Sequence, residues 1–279
     1  MSNLLMRFPE GKSKALTLSY DDGVEQDKRL VSLMAEHGIK GTFNINSGLY
    51  ADEGTVYAPG TIHRRMTKKE IDDLYVRNGM EVAVHGYTHP YLDRLPVNKA
   101  TYEILKDKMS LEEQFSTIIR GMAYPYGSYN DALVDIIRNC GIVYSRTVIS
   151  TEKFDMPRDW LRLPATCHHN NPRLMELAEE FVSSDYSDKP SQMFYLWGHS
   201  YEFEKFDNWN VIEDFIRKIS AKQDIWYATN IEVYDYVHAY EELRFSTDMS
   251  LCQNPTSTDV WFVFVGKEYK VEAGQTLAL

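Results

Sequence analysis

Apolar and polar positions alternate along this chain in two rhythms, and the rhythms take turns. Residues 15–20 (ALTLSY) form a short apolar run of strand type that stops at Asp21-Asp22-Gly23. Leu30, Leu33 and Met34 then recur at helical spacing within residues 25–37, before Gly38 ends the pattern. Residues 42–46 (TFNIN) and 81–84 (EVAV) read as further strands, the second entered from a helix over 68–78 and running straight into His85. Residues 118–127 read as a strand ending in a loop, and 131–140 as a helix with Leu133, Ile136, Ile137 and Cys140 on one face. Later strands are expected at IVYSRT, RLPATC, MFYLWGH and IWYAT, the last two separated by an amphipathic helix carrying Ile212, Phe215, Ile216 and Ile219. Thr229 and Glu232 are spaced as a capping box for a final helix with Val233, Tyr236, Val237 and Tyr240.

Strand and helix in strict alternation imply βα units and a parallel sheet. Seven or eight such units end by Leu243, close to the ~250 residues of a (β/α) barrel. We therefore expect an α/β barrel over residues 1–243. Beyond it, Asn254-Pro255 marks a turn, and VWFVFVGKEYKV alternates around Gly266-Lys267 like a β-hairpin. Residues 244–279 are expected as a short β-hairpin extension packed on the barrel.

Composition narrows the function classes. With 43% apolar and 25% charged residues over 279 positions, the chain can bury a full core, and disorder or fibrous structure is excluded. Its 30 Lys+Arg against 41 Asp+Glu give a net charge of −11, which repels phosphate backbones and anionic membranes, so neither nucleic acid nor membrane is expected as a partner. The three cysteines are odd in number and lack a CxxC pair, so they read as buried or incidental thiols. The N-terminus shows no apolar stretch of signal-peptide length, and no segment is long enough to span a bilayer, so a cytoplasmic location is expected. A monomer or small homo-oligomer is expected.

Barrel chemistry collects where strands end, and three such ends carry metal-type ligands. They are Asp21-Asp22, the pair His85 and His89 in HGYTH, and His199 after YLWG. Histidines four apart meet at one point on a helical turn or in a tight loop, and with one carboxylate they suit Zn²⁺ or another divalent transition ion. Adjacent carboxylates repel, and an ion on one resolves that conflict while the other takes a proton from ion-activated water. His199 would donate a proton to a leaving nitrogen. His168 and His169 are neighbours at a strand end, where side chains point to opposite sides, so at most one is expected to face the site.

SYDDG (19–23), HGYTH (85–89), AYPYG (123–127) and the late strand ending at His199 occur in the order found in the polysaccharide deacetylase family, also called the NodB-homology family or carbohydrate esterase family four. The resemblance covers roughly residues 14–240. It implies a distorted (β/α) barrel of about seven strands, with a small C-terminal β appendage, and a divalent metal, zinc foremost. By resemblance Asp21 is the general base, while Asp22, His85 and His89 hold the metal. Tyr126 lends its backbone N–H to the oxyanion, and His199 is the general acid. Water held by the ion would attack the acetyl carbonyl of an N-acetylated sugar or soluble oligosaccharide.

This chain also departs from the family pattern. Ala123 stands where the third motif has an arginine that steadies the base, and Arg162 is the candidate to replace it. Gly86 stands where Ser or Thr is usual, which is expected to loosen the metal loop. Asp159-Trp160 matches the fourth motif only loosely, and Trp160 is the candidate for lining the sugar pocket. Two other readings remain open: a metal-dependent hydrolase of a non-sugar or cyclic amide, and a catalytically silent carbohydrate-binding protein.

Overall fold

The computed structural model describes residues 4–279. Its elements follow the order β1 (Leu4–Arg7), β2 (Lys14–Asp21), α1 (Asp27–Glu36), β3 (Thr42–Ile45), α2 (Lys68–Leu74), β4 (Glu81–Val84), α3 (Val97–Phe115), β5 (Gly121–Ala123), α4 (Asp131–Asn139) and β6 (Tyr144–Ser150). The second half continues with β7 (Leu163–Ala165), β8 (Cys167–His168), α5 (Leu174–Ser183), β9 (Gln192–Gly198), α6 (Tyr201–Lys205), α7 (Trp209–Ile219), β10 (Ile225–Tyr227) and α8 (Asn230–Glu241). The C-terminal part holds β11 (Arg244–Phe245), β12 (Leu251–Gln253), β13 (Val260–Phe264), β14 (Lys267–Val271) and β15 (Thr276–Ala278).

The main sheet is parallel and runs β7-β6-β5-β4-β3-β2-β9-β8, with β10 added beside β2. It closes through the short stretch expected as one strand at RLPATC. That stretch is split: β7 pairs with β6, while β8, two residues on, pairs with β9. One crossing thus joins both ends of the sheet, and the barrel is distorted there. β2 is its longest fully buried strand, all eight positions being buried, as expected of a strand covered on both faces. Helices wrap the outside, and the capping box of α8 forms as anticipated, Thr229 Oγ1 accepting from the Glu232 amide at 3.3 Å.

Two elements lie outside the expected pattern. α3 is a 19-residue helix with Ala100, Ile104, Asp107 and Leu111 on its buried face. β1 does not enter the barrel but pairs antiparallel with β13, next to β14, so the extra sheet draws on both ends of the chain. The junction is apolar: Ala239 and Leu243 at the end of α8 pack with Cys252, Val260, Phe262 and Val271. Among the described residues no helix is long and apolar enough to cross a membrane, and all three cysteines are free and buried.

Candidate active site

The C-terminal ends of β2, β4, β5 and β9 open into one cleft of about 590 Å³. Asp21, Asp22, His85, His89, Tyr126 and His199 all line it, so the strand-end residues singled out from the sequence are brought together.

Asp21 is the last residue of β2 and almost fully buried. Its Oδ1 accepts from Asn44 Nδ2 at 2.8 Å, and its Oδ2 pairs with the Arg146 guanidinium. His85 Nε2 and His199 Nε2 each lie 3.7 Å from the same Oδ2. Burial alone would raise the Asp21 pKa, but Arg146, then His85 and His199, outweigh it and hold the carboxyl below its ordinary range. Asp21 is therefore an ionised carboxylate in a nearly dry setting.

Asp22 sits at φ 85°, a left-handed conformation that costs a non-glycine residue of order 1–3 kcal/mol and persists where the surroundings impose it. Its Oδ1 accepts from Arg65 Nη2 at 3.0 Å, and His63 Nε2 lies 3.1 Å from its Oδ2. These partners, together with the site histidines, overcome burial and leave Asp22 ionised.

The ligand atoms of Asp22, His85 and His89 lie within 4.8 Å of one another. The two imidazoles meet in a tight turn, not on a helix, because His89 also has a positive φ of 55° and Gly86 one of 77°. Glycine is the residue for such a φ, which accounts for its presence where Ser or Thr was expected. The turn is not loose: Asn46 Nδ2 donates to the His85 and Gly86 carbonyls at 2.6 and 2.7 Å. From α3, Asp107 accepts from the His85 amide at 3.0 Å and from the Ser47 amide at 2.7 Å.

The nitrogens themselves indicate whether an ion suits this place. His85 Nδ1 is 2.8 Å from the Ala123 carbonyl, so Nδ1 carries the proton and Nε2 presents its lone pair. That Nε2 is 3.1 Å from Nε2 of His89. Burial, then the neighbouring His85, push His89 down to about 4, so the ring is neutral at pH 7. Two imidazole nitrogens converging beside a carboxylate fit a divalent ion of the zinc type.

The guanidinium that steadies Asp21 comes from Arg146, not Arg162, and that expectation is corrected. Arg162 is partly exposed and outside the cleft lining, bonded to Asp159 Oδ2 at 2.5 Å and Asp131 Oδ1 at 2.6 Å. Arg146 is the direct partner of Ala123 on the adjacent strand, so the charge has moved one strand over and the small Ala123 leaves room for it. A lone arginine inside the apolar strand IVYSRT was the available signal, since a buried guanidinium needs a carboxylate.

Trp160 is likewise not brought to the cleft; it packs edge-on against Tyr234 with centroids 5.3 Å apart. The aromatic lining is Tyr124, Tyr126, Trp197 and Tyr201, with Tyr91 stacked on Tyr126 at 4.0 Å. His63 and Arg65 were not anticipated either. They come from a segment without periodicity, fixed when Arg64 bonds Glu25 at 2.6 Å and Glu204 at 2.7 and 2.8 Å.

His199 faces Asp21 through Nε2, while its Nδ1 lies 3.5 Å from Glu202 Oε1. Burial would lower its pKa, but Glu202, then Asp21 and Asp22, raise it above the ordinary histidine value. The ring is suited to carry a proton into the cleft.

A parallel barrel that gathers an Asp-His-His cluster, a second carboxylate and an opposing histidine at its strand ends offers a donor set that a divalent ion would suit. Residues 9–145, just under half of the chain, match the family model described as polysaccharide deacetylase, and over that stretch the chain is similar to that family. No curated protein matches the sequence. Solved structures do. A candidate polysaccharide deacetylase from Mycobacterium smegmatis is 17% identical with a TM-score of 0.61, the match covering 86% of this chain and 96% of that one. The chitin deacetylase of the fungal pathogen Colletotrichum lindemuthianum is 17% identical with a TM-score of 0.52, over 82% of this chain and 89% of its own. The Streptococcus pyogenes deacetylase PplD in complex with acetate is 22% identical with a TM-score of 0.42 over 47% of this chain; the match spans 55% of that protein. At these identities the likeness is one of fold.

Proposed function

We propose that this chain is a metal-dependent hydrolase that removes acetyl groups from N-acetylated sugars or soluble oligosaccharides. The observation that carries the reading is the convergence of Asp21, Asp22, His85, His89 and His199 on one cleft, with Asp21 kept ionised by Arg146. The aromatic wall of Tyr124, Tyr126 and Trp197 suits the face of a pyranose ring.

Asp22, His85 and His89 would hold the ion, which when bound supplies Lewis-acid polarisation of a water and of the acyl carbonyl. Asp21 Oδ2 takes a proton from the attacking water as the new C–O bond forms. The Tyr126 backbone N–H donates to the oxyanion; Tyr126 sits at φ 59° in the wall of the cleft. His199 Nε2 then gives its proton to the nitrogen as the C–N bond breaks. Acetate and the free amine leave.

The test is acetate release from N-acetylglucosamine oligomers and small acetylated amides, with and without chelator. Chelation is expected to abolish turnover, and Asp21→Asn to reduce it by roughly 10²–10⁴-fold, the usual contribution of a general base. Turnover that survives chelation refutes the reading.

A further inference from the structure

Behind His199 lies a second group of ligand-type side chains, none of which lines the cleft. We propose that His168, His169 and Glu202 form a separate binding site for a divalent transition-metal ion of the zinc type. Their ligand atoms lie within 4.8 Å of one another, and His169 Nε2 and His168 Nε2 stand 2.9 and 3.2 Å from Glu202 Oε2. Atoms sharing one tetrahedral ion with bonds near 2.0–2.1 Å are separated by roughly 3.3 Å. Neither imidazole makes a well-aligned hydrogen bond to the carboxylate, and His169, fully buried, has no hydrogen-bond partner on either nitrogen. A buried imidazole left this way is uncommon unless something else occupies its lone pair.

The chain builds the place deliberately. β8 ends at His168 and turns at once, so both neighbouring rings reach Glu202, with centroids 4.4 Å apart; neither lines the active-site cleft, in keeping with the expectation that at most one would face it. The His169 amide is anchored to the Trp197 carbonyl at 2.9 Å. Gly198 beside it must lack a side chain, since a Cβ there would lie 2.0 Å from His169 Nδ1. Glu202 arrives on the first turn of α6.

Charge state agrees with the geometry. Burial drives His169 down to about 4, so it is neutral at pH 7 and keeps a lone pair. Burial would raise Glu202, but His168, His169 and His199 outweigh that and keep it an anion. Two imidazole nitrogens and one carboxylate oxygen are a donor set for zinc. His168 is the weakest of the three. Its Nδ1 accepts from the Asn170 amide at 3.1 Å, so taking an ion through Nε2 means shifting the proton to Nδ1 and giving up that bond.

The test counts ions on the full chain and does not depend on what the first cluster catalyses. Chelator-stripped protein is titrated with Zn²⁺ by calorimetry, and bound ions are counted by native mass spectrometry with folding checked by circular dichroism. Wild type is expected to take one ion more than Glu202→Gln. His168→Asn, at a partly exposed position, is expected to bind that same ion at least tenfold more weakly. Asp22→Asn removes the other ion and leaves this one, which separates the two sites. The proposal is overturned if folded Glu202→Gln, or His168→Asn should the former not fold, binds as many ions as tightly as wild type. That outcome would leave the three residues as a hydrogen-bonded cluster only.

Discussion

Arg146, the lone charge within IVYSRT, determines the state of Asp21. It is buried, pairs with Asp21 Oδ2, and lays its guanidinium over the Trp197 ring at 4.4 Å. Removing it would leave a buried carboxylate without its countercharge, a change that costs roughly 3–5 kcal/mol. Arg146→Met is therefore expected to lower the urea midpoint clearly and to suppress acetate release, whereas Arg162→Met, outside the cleft lining, should leave turnover near wild type. Equal activity in the two variants would contradict the assignment. Strand-end residues such as Asp21, His85 and His199 can be read from order alone because the barrel fixes where strand ends go. Arg146, His63 and Glu202 cannot, because their places depend on which strands and loops become neighbours.

At the scale of elements, the helix that supports the His85–His89 turn was the one the sequence concealed. The inward stripe of α3 is Ala100, Ile104, Asp107 and Leu111, so a carboxylate interrupts the apolar period, while Tyr102, Leu105 and Met109 lie exposed and blur the contrast. The residue that spoils the pattern is also the one with a task. Asp107 ties the His85 and Ser47 amides to the helix, much as second-layer partners orient metal ligands elsewhere. Asp107→Asn is expected to weaken Zn²⁺ binding at the Asp22 cluster by about 10- to 100-fold while the protein still folds. Calorimetry on the chelator-stripped variant checks this; unchanged affinity would show that Asn46 holds the turn by itself. The barrel closure had a similar history. RLPATC reads as one strand, but only three-dimensional pairing divides it between β6 and β9.

For the whole molecule, buried carboxyls set how stability depends on pH. Burial raises Asp27, Glu81 and Asp107 each to about 7, against roughly 4 in an unfolded chain. Between those values the native state holds protons that the unfolded state has released, so each group weakens the fold by up to about 1.4 kcal/mol per pH unit as pH rises. His85, His89 and His169 are lowered by burial and act oppositely up to about 6.5. Asp21, Asp22 and Glu202 are lowered too, and their contribution is already complete above the unfolded carboxyl range. Stability in chelator is therefore expected to change little from pH 5 to 6.5 and to fall from 6.5 to 8. Urea titrations at pH 6.5 and 8 test the sign, and Glu81→Gln should shrink the fall; a wild type equally stable at both would be inconsistent with protonated carboxyls in the core.

The partnership of β1 with β13 bears on how the protein is made. Leu4 pairs with Phe264 and Arg7 with Trp261. On a ribosome adding about 5–20 residues per second, the roughly 260 intervening residues take some 13 to 50 s to appear. Throughout that interval the barrel strands can assemble in order, but β1 has an open edge and no partner, the condition in which strands join the wrong neighbour. A refolding chain, with β1 and β13 both present from the start, has no such wait. In synthesis, β1 precedes every strand of the barrel and is seated only after them.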